Sequence, residues 1–262
     1  MSRSLLSSNA SRFLALAGSF AILLSSNLQG FSQTPKPSIP AKVSPKPKAD
    51  EHGINAQFAD PDVQAFVKRF ETDSREVFAR RNEIVRAMGI KRGMAVADIG
   101  AGTGLFTRLI AEDVGAEGRV YAVDISPAFL KHIDAESKRL NQKQVRTIKG
   151  SQETTGLPAN SIDLSFMCDV YHHLEHPMAT LRTIHDALKK DGEFIVIDFD
   201  RVKGKSTEFV LKHVRADKAV FIKEIQSAGF LPIPSTDVPR LSENFFLRFR
   251  KVSKAPTGPD GD

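Results

Sequence analysis

The 262-residue chain has one cysteine, no tryptophan and two tyrosines. The lone Cys168 cannot form an internal disulfide, and without more thiols there is no cysteine-based zinc module. The apolar run Phe13–Leu24 falls short of the roughly 20 residues that span a bilayer comfortably. Surplus charge is also scarce where a fold could use it. The formal charge is +6, but residues 1–50 hold Arg3, Arg12, Lys36, Lys42, Lys46 and Lys48 against Asp50, a net of +5 that leaves +1 for residues 51–262. The part able to fold therefore has no basic footprint for a phosphate backbone, and no nucleic-acid partner is expected.

What the first 56 residues contain is not fold-like. Arg3 and Arg12 precede the apolar run, and Ser25, Ser26 and Asn27 follow it, with Gly30 or Ser32 as cleavage points. Residues 1–32 thus read as a signal peptide or, uncleaved, an N-terminal anchor. That implies an exported, periplasmic or membrane-anchored protein, with a cytoplasmic one as the alternative. Five prolines alternate with lysines and small residues over 33–56, the composition of an extended, solvated linker. Residues 57–253 form the expected domain, beginning with a helical lid at 57–90. Residues 254–262 are a Pro/Gly/Asp tail expected to fray.

Within the domain, Val63, Phe66, Val67 and Phe70 recur at helical spacing, as do Val77, Phe78, Ile84, Val85 and Met88 before Gly89. Strands and helices then alternate. Strands are expected at 95–99, 120–123, 145–148, 162–167 and 194–199, and helices at 105–113, 127–140, 178–188 and 218–228. Such alternation implies a Rossmann-like α/β fold, a mostly parallel sheet with helices on both faces. The last two strand-like runs, 230–233 and 245–252, have no crossover helix between them and must pair antiparallel.

The chemistry starts at Val96-Ala97-Asp98-Ile99-Gly100-Ala101-Gly102-Thr103-Gly104. A buried strand runs into three glycines at alternate positions, where a side chain would keep a ligand from the backbone. Exposed amides at the following helix start would favour an anionic group. The spacing differs from the G-x-G-x-x-G of dinucleotide enzymes. Asp124, twenty residues after Gly104 at the end of the next strand, stands where a carboxylate accepts hydrogen bonds from ribose hydroxyls. A helix N-cap is its alternative role, although Ser126 is better placed to cap the helix at Pro127.

The chain resembles the class I S-adenosylmethionine-dependent methyltransferases, in particular the small-molecule and ubiquinone-type family, over roughly residues 94–229. The likeness rests on Asp98–Gly104, on Val120-Tyr121-Ala122-Val123-Asp124, on Leu157-Pro158-Ala159-Asn160-Ser161-Ile162-Asp163 and on Leu188-Lys189-Lys190-Asp191-Gly192-Glu193. It implies a seven-stranded sheet and S-adenosyl-L-methionine as cofactor. Gly100, Ala101, Gly102, Thr103 and Gly104 would border its methionine part, Asp98 and Asp169 its amino group, and Asp124 and Ile125 its ribose side. Where such enzymes often carry an acid for the adenine amino group, this chain has Ser151 and Gln152, whose amide oxygen could accept that hydrogen bond.

After the fourth strand comes Cys168-Asp169-Val170-Tyr171-His172-His173-Leu174-Glu175-His176-Pro177. His172 or His173 could act as a general base, or could simply be buried and packed. No metal site is expected, because Pro177 makes this stretch a loop and no third ligand pattern stands out. Cys168 is not preceded by proline, and no Asn/Asp-Pro-Pro-aromatic segment follows the strand, both of which speak against nucleic-acid methylation. The acceptor is therefore expected to be a small molecule. Two other readings stay open: a non-catalytic cofactor-binding scaffold, and an NAD-dependent oxidoreductase.

Overall fold

The computed structural model describes residues 53–235 and 240–252. The leader at 1–32, most of the linker, Pro239 and the tail at 254–262 lie outside them. Among the described residues no helix is long and apolar enough to cross a membrane.

Seven strands form one sheet: β1 (Ala95–Ile99), β2 (Arg119–Asp124), β3 (Val145–Lys149), β4 (Ile162–Cys168), β5 (Leu188–Phe199), β6 (Phe230–Ile233) and β7 (Asn244–Lys251). Their order is β3-β2-β1-β4-β5-β7-β6. The first five are parallel, and β7 runs antiparallel between β5 and β6. The two final strands pair antiparallel as expected, and β7 also pairs along β5. Chain order reverses between β1 and β4, which opens a crevice at their carboxyl ends, where ligands bind in sheets of this kind.

The helices are α1 (Val63–Phe70), α2 (Glu76–Ala79), α3 (Arg81–Met88), α4 (Leu105–Val114), α5 (Pro127–Arg139), α6 (Pro177–Ala187), α7 (Glu208–His213) and α8 (Lys218–Ser227). Alternate residues of the central strands supply two cores. Val96, Leu164, Phe166, Ile195 and Ile197 face α3, α4 and α5. Ala97, Met167, Phe194 and Val196 face α6, α7 and α8. A strand covered on both faces reads as a continuous apolar run, which is why β1 and β4 stand out in the sequence.

Three expectations need correction. The second lid stretch is not one helix: it breaks at Arg80 into α2 and α3. Strand β5 begins at Leu188, six residues before the expected 194. Leu188 already pairs with Ile162, and the register shifts before Leu164 meets Glu193, with Asp191 at φ 61°. The short helix α7 was not expected at all. It is capped by Thr207, whose Oγ1 accepts from the Val210 amide at 3.3 Å.

The segment before the sheet is tied to the domain by polar contacts and rings. Glu71 takes hydrogen bonds from Thr103 Oγ1 (2.8 Å) and Arg108 Nη2 (2.7 Å), which fastens it to the start of α4. Glu76 accepts from the Glu243 and Asn244 amides at 2.9 and 3.0 Å. Phe66 meets the buried Phe129 of α5 edge to face, centroids 5.4 Å apart. Asn55 reaches the His173 carbonyl at 3.0 Å.

Candidate active site

A cavity of about 410 Å³ opens at the crevice. Its walls include Asp98, the glycine loop from Gly100 to Thr103, Asp124 and Ile125, Ser151 and Gln152, Asp169, and the His172–His173 pair; Gly104, also expected there, is not part of the lining. The fold thus brings together residues that the sequence expectation placed around one cofactor.

The three glycines serve different ends. All take left-handed backbones, with φ 71°, 54° and 77° at Gly100, Gly102 and Gly104. A Cβ at Gly100 would lie 2.5 Å from Val170 Cγ2, and one at Gly104 would lie 2.8 Å from Ile133 Cγ1. Those two are small because the protein itself closes on them. Only at Gly102 would a Cβ face space, its nearest neighbour being 3.9 Å away. That is the position where a ligand can approach the backbone.

The amides are also more occupied than expected. Gly100 and Ala101 donate to the Val123 carbonyl at 2.8 and 3.0 Å, and Gly104 donates to Ala101 at 2.8 Å. The Gly102 amide donates to Asp124 Oδ2 at 2.8 Å. These four amides therefore shape the loop rather than wait for an anion. Asp124 also accepts from the Ser126 amide through Oδ1 at 2.8 Å. The Ile125 amide adds a third backbone donor, and an ionised carboxylate offers about four lone-pair sites, so room remains for a ribose hydroxyl. Ser126 stands at the N-cap of α5, but its side chain makes no capping bond, contrary to expectation. Burial raises the Asp124 pKa despite these amide donors.

Asp98, the penultimate residue of β1, is 3% exposed and accepts from Thr107 Oγ1 at 2.6 Å. Burial pushes its pKa up to about 6, and the nearby Asp124 charge adds to the rise. A buried carboxyl without a cation is costly when ionised, and a cationic ligand in the crevice would relieve that cost. Asp169 differs. Its side chain is already held by Arg75 Nη2 (2.5 Å) and Asn244 Nδ2 (2.6 Å), and its backbone sits at φ 53°. The residue lines the cavity, but lid and β7 residues hold its carboxylate. Burial raises its pKa while Arg75 opposes the rise.

Around the expected adenine position, Ser151 is exposed and its Oγ accepts from the Glu153 and Thr154 amides at 3.2 Å each. Its hydroxyl shapes a turn. The Gln152 carbonyl accepts from Thr180 Oγ1 at 3.1 Å, which anchors the backbone there. From the lid, Phe58, Arg69, Phe70, Thr72, Ser74 and Arg75 are among the residues that line the cavity. Phe66 packs on Phe129, and Phe78 lies under the Arg81 guanidinium at 4.1 Å.

The other end of the cavity is a histidine wall. His172, 3% exposed, holds Asp198 in two ways: its Nδ1 lies 2.7 Å from Oδ1, and its amide donates to Oδ2 at 3.1 Å. His173 stacks obliquely on it, centroids 4.1 Å apart, with His213 of α7 at 5.0 Å from the first ring and 5.1 Å from the second. Burial, aided by the neighbouring histidines, pushes the His173 pKa down to about 2. It is neutral at physiological pH and a poor proton acceptor. Asp198 and His213 were missed in the sequence. An acid closing a parallel strand was a usable signal for Asp198, but His213 lies forty residues on in an unrecognised helix. Cys168 stays a thiol, since burial and Asp169 raise its pKa well above the usual range.

Residues 97–196 match the family described as a methyltransferase domain. Demethylmenaquinone methyltransferases from Geobacillus stearothermophilus and Listeria monocytogenes serotype 4b (strain CLIP80459) are 28% and 29% identical over 118 residues, which is 45% of this chain and 50% of each relative. The chain spans about half the length of those curated relatives. Among solved structures, an S-adenosylmethionine-dependent methyltransferase from Aquifex aeolicus aligns with a TM-score of 0.63 at 22% identity, over 73% of this chain and 99% of that one. Matched domain and glycine loop liken residues 97–196 to the class I S-adenosylmethionine-dependent methyltransferases, and the fold agrees. The cavity fits that cofactor: open space lies over Gly102, Asp124 keeps room for a ribose hydroxyl, and the buried Asp98 makes no ion pair among the described residues, Arg108 acting on it only from a distance.

Proposed function

We propose that the protein transfers a methyl group from S-adenosylmethionine to a small-molecule acceptor with a quinol- or phenol-like ring. The observation that carries this reading is one cavity joining the glycine loop and Asp124 to a wall of histidine and phenylalanine rings. The cofactor supplies a sulfonium-activated methyl group, so what the chain must add is placement and dryness. Asp124 and Ile125 would hold the ribose side, Gly102 would admit the methionine part, and Asp98 would offset its positive charge. Gln152 is the residue available for the adenine amino group. Phe58 and the ring of His173, centroids 5.3 Å apart, give the acceptor end flat faces on which an aromatic ring can lie. The similarity to demethylmenaquinone methyltransferases favours a quinol-type acceptor over a nucleic acid, as does the small charge of residues 51–262.

Calorimetry of the full chain with S-adenosylhomocysteine, followed by methyl transfer to a panel of hydroxylated naphthalenes and benzenes, tests the proposal. Saturable binding with transfer to at least one ring supports it. Absence of heat at high micromolar ligand overturns it, and binding without transfer to any acceptor favours a cofactor-binding scaffold. The leader-like residues 1–32 lead us to propose also that the protein is exported or anchored. Fractionation of the full-length chain beside one lacking residues 1–32 checks that, and identical cytoplasmic distributions would refute it.

A further inference from the structure

We infer that His172, His173 and His213 form a binding site for a single divalent cation of the zinc class, on the wall of the same cavity. Ligand-capable atoms of the three residues all lie within 4.8 Å of one another. Three imidazole nitrogens around one position are the donor set of an open zinc site, in which a fourth corner is left to water or substrate. Tetrahedral ligands about 2.0–2.1 Å from the metal stand about 3.3 Å apart, so small rotations of the rings would close the set.

Two further observations point to a ligand rather than to chance crowding. First, His172 Nε2 and His173 Nδ1 are both buried and make no hydrogen bond. An unpaired buried polar atom is costly, and two beside each other need a reason. Second, the far side of the His172 ring is fixed by Asp198, with Nδ1 at 2.7 Å from its Oδ1. A proton on Nδ1, donated to Asp198, leaves the Nε2 lone pair as an outward acceptor. Carboxylate, imidazole and metal in this order are the usual support of a metal-bound histidine, where the carboxylate selects the tautomer and strengthens the donor. The Asp198 carboxylate is itself held by the His172 and Phe199 amides, at 3.1 and 2.7 Å.

Chain topology supplies the third donor. His172 and His173 form a single 3-10 turn after β4, and His213 ends α7, which follows β5. His213 stacks on Phe209 at 4.8 Å, which orients its ring. All three histidines line the cavity that holds Asp98 and the glycine loop. The fourth corner therefore opens on the same space, and the ligand it would take is an oxygen, from water or from a hydroxyl-bearing molecule. That this hydroxyl belongs to the methyl acceptor rests on the function proposed above; the cation site does not.

The test uses the full chain, stripped with a chelator and titrated with Zn²⁺ and then with Co²⁺ as a spectroscopic probe. We expect one cation per chain and, with Co²⁺, the intense visible bands of a four-coordinate site. His213→Ala should weaken binding at least 100-fold, and Asp198→Asn by about 10- to 100-fold. His176→Ala, which alters an exposed histidine outside the cluster, should leave binding unchanged. Binding of S-adenosylhomocysteine, measured on each variant without metal, reports whether the fold and the cofactor end survive. If that binding persists in His213→Ala while cation affinity stays at the wild-type level, the inference is overturned, as it is if the wild type takes up no stoichiometric cation. Loss of S-adenosylhomocysteine binding with cation uptake retained would count against the methyltransferase reading and not against the cation site.

Discussion

At the glycine-loop end of the cavity, the hydrogen bonds of Asp98 and Asp124 fall within residues 98–126, in two adjacent strands and the turns and helix start that follow them. At the histidine end, His172, Asp198 and His213 come from three separate segments, after β4, in β5 and in α7. The first end is built from short-range geometry, in which a glycine or an aspartate has a role set by its neighbours in sequence. The second exists only once β5 lies beside β4 and α7 folds back over both. The first kind of site can be read from a motif, and the second cannot.

Substitutions that treat the two ends separately sharpen this contrast. The largest effect is expected for Gly100→Ala. Its Cβ would meet Val170 at 2.5 Å on a backbone with φ 71°. Overpacking together with left-handed strain should cost about 3 kcal/mol or more in chemical denaturation and abolish cofactor binding. Gly102→Ala should lose only about 1 kcal/mol of stability, because its Cβ meets nothing closer than 3.9 Å, yet it should still block the cofactor. Equal destabilisation of the two would mean that the glycines are not divided as described.

Asp98→Asn comes next. With the native pKa raised to about 6 from 3.8, the folded protein holds a proton between those values that the unfolded chain has released. Stability contributed by the protonated form is thus present below pH 3.8 and is lost as pH rises through 6. Above pH 6 the buried charge costs up to about 3 kcal/mol, which the asparagine avoids. Thermal melts should show the variant more stable than wild type at pH 7.5, with the gap vanishing near pH 4. Its affinity for S-adenosylmethionine should fall and lose the rise between pH 5 and 7 expected for wild type. A melting temperature unchanged at pH 7.5 would contradict the burial argument.

Arg75→Ala removes one partner of the pair with Asp169, whose side chain is only 5% exposed. Leaving that carboxylate with Asn244 alone should cost about 2 kcal/mol and loosen the lid, seen as faster proteolysis before β1. Asp124→Asn should weaken cofactor binding by roughly 1–2 kcal/mol, through loss of an acceptor for ribose hydroxyls. The smallest effect on cofactor affinity belongs to Asp198→Asn, expected within about threefold of wild type. A large loss there would show that the two ends are coupled rather than independently built.

Much of the fold was legible because its strands are buried on both faces. β1 and β6 fall at their expected bounds, and β2, β3 and β4 within a residue or two. The break at Arg80 and the bulge after Leu188 were not legible, since each depends on what packs beside the segment. At the site, Asp98, the glycine loop and Asp124 could be named in advance. Their occupants could not: no motif says that Val170 closes on Gly100, or that Arg75 and Asn244 already hold Asp169.

The sequence by itself determined the sheet, the glycine loop and the acid at the end of β2, because alternation, left-handed turns and strand-end polar residues act over a few positions. Tertiary structure decided which loop amides are spoken for, where the lid is fastened, and that His213 joins His172 and His173. Those outcomes depend on distances between residues far apart in the chain, and only the packed sheet sets them.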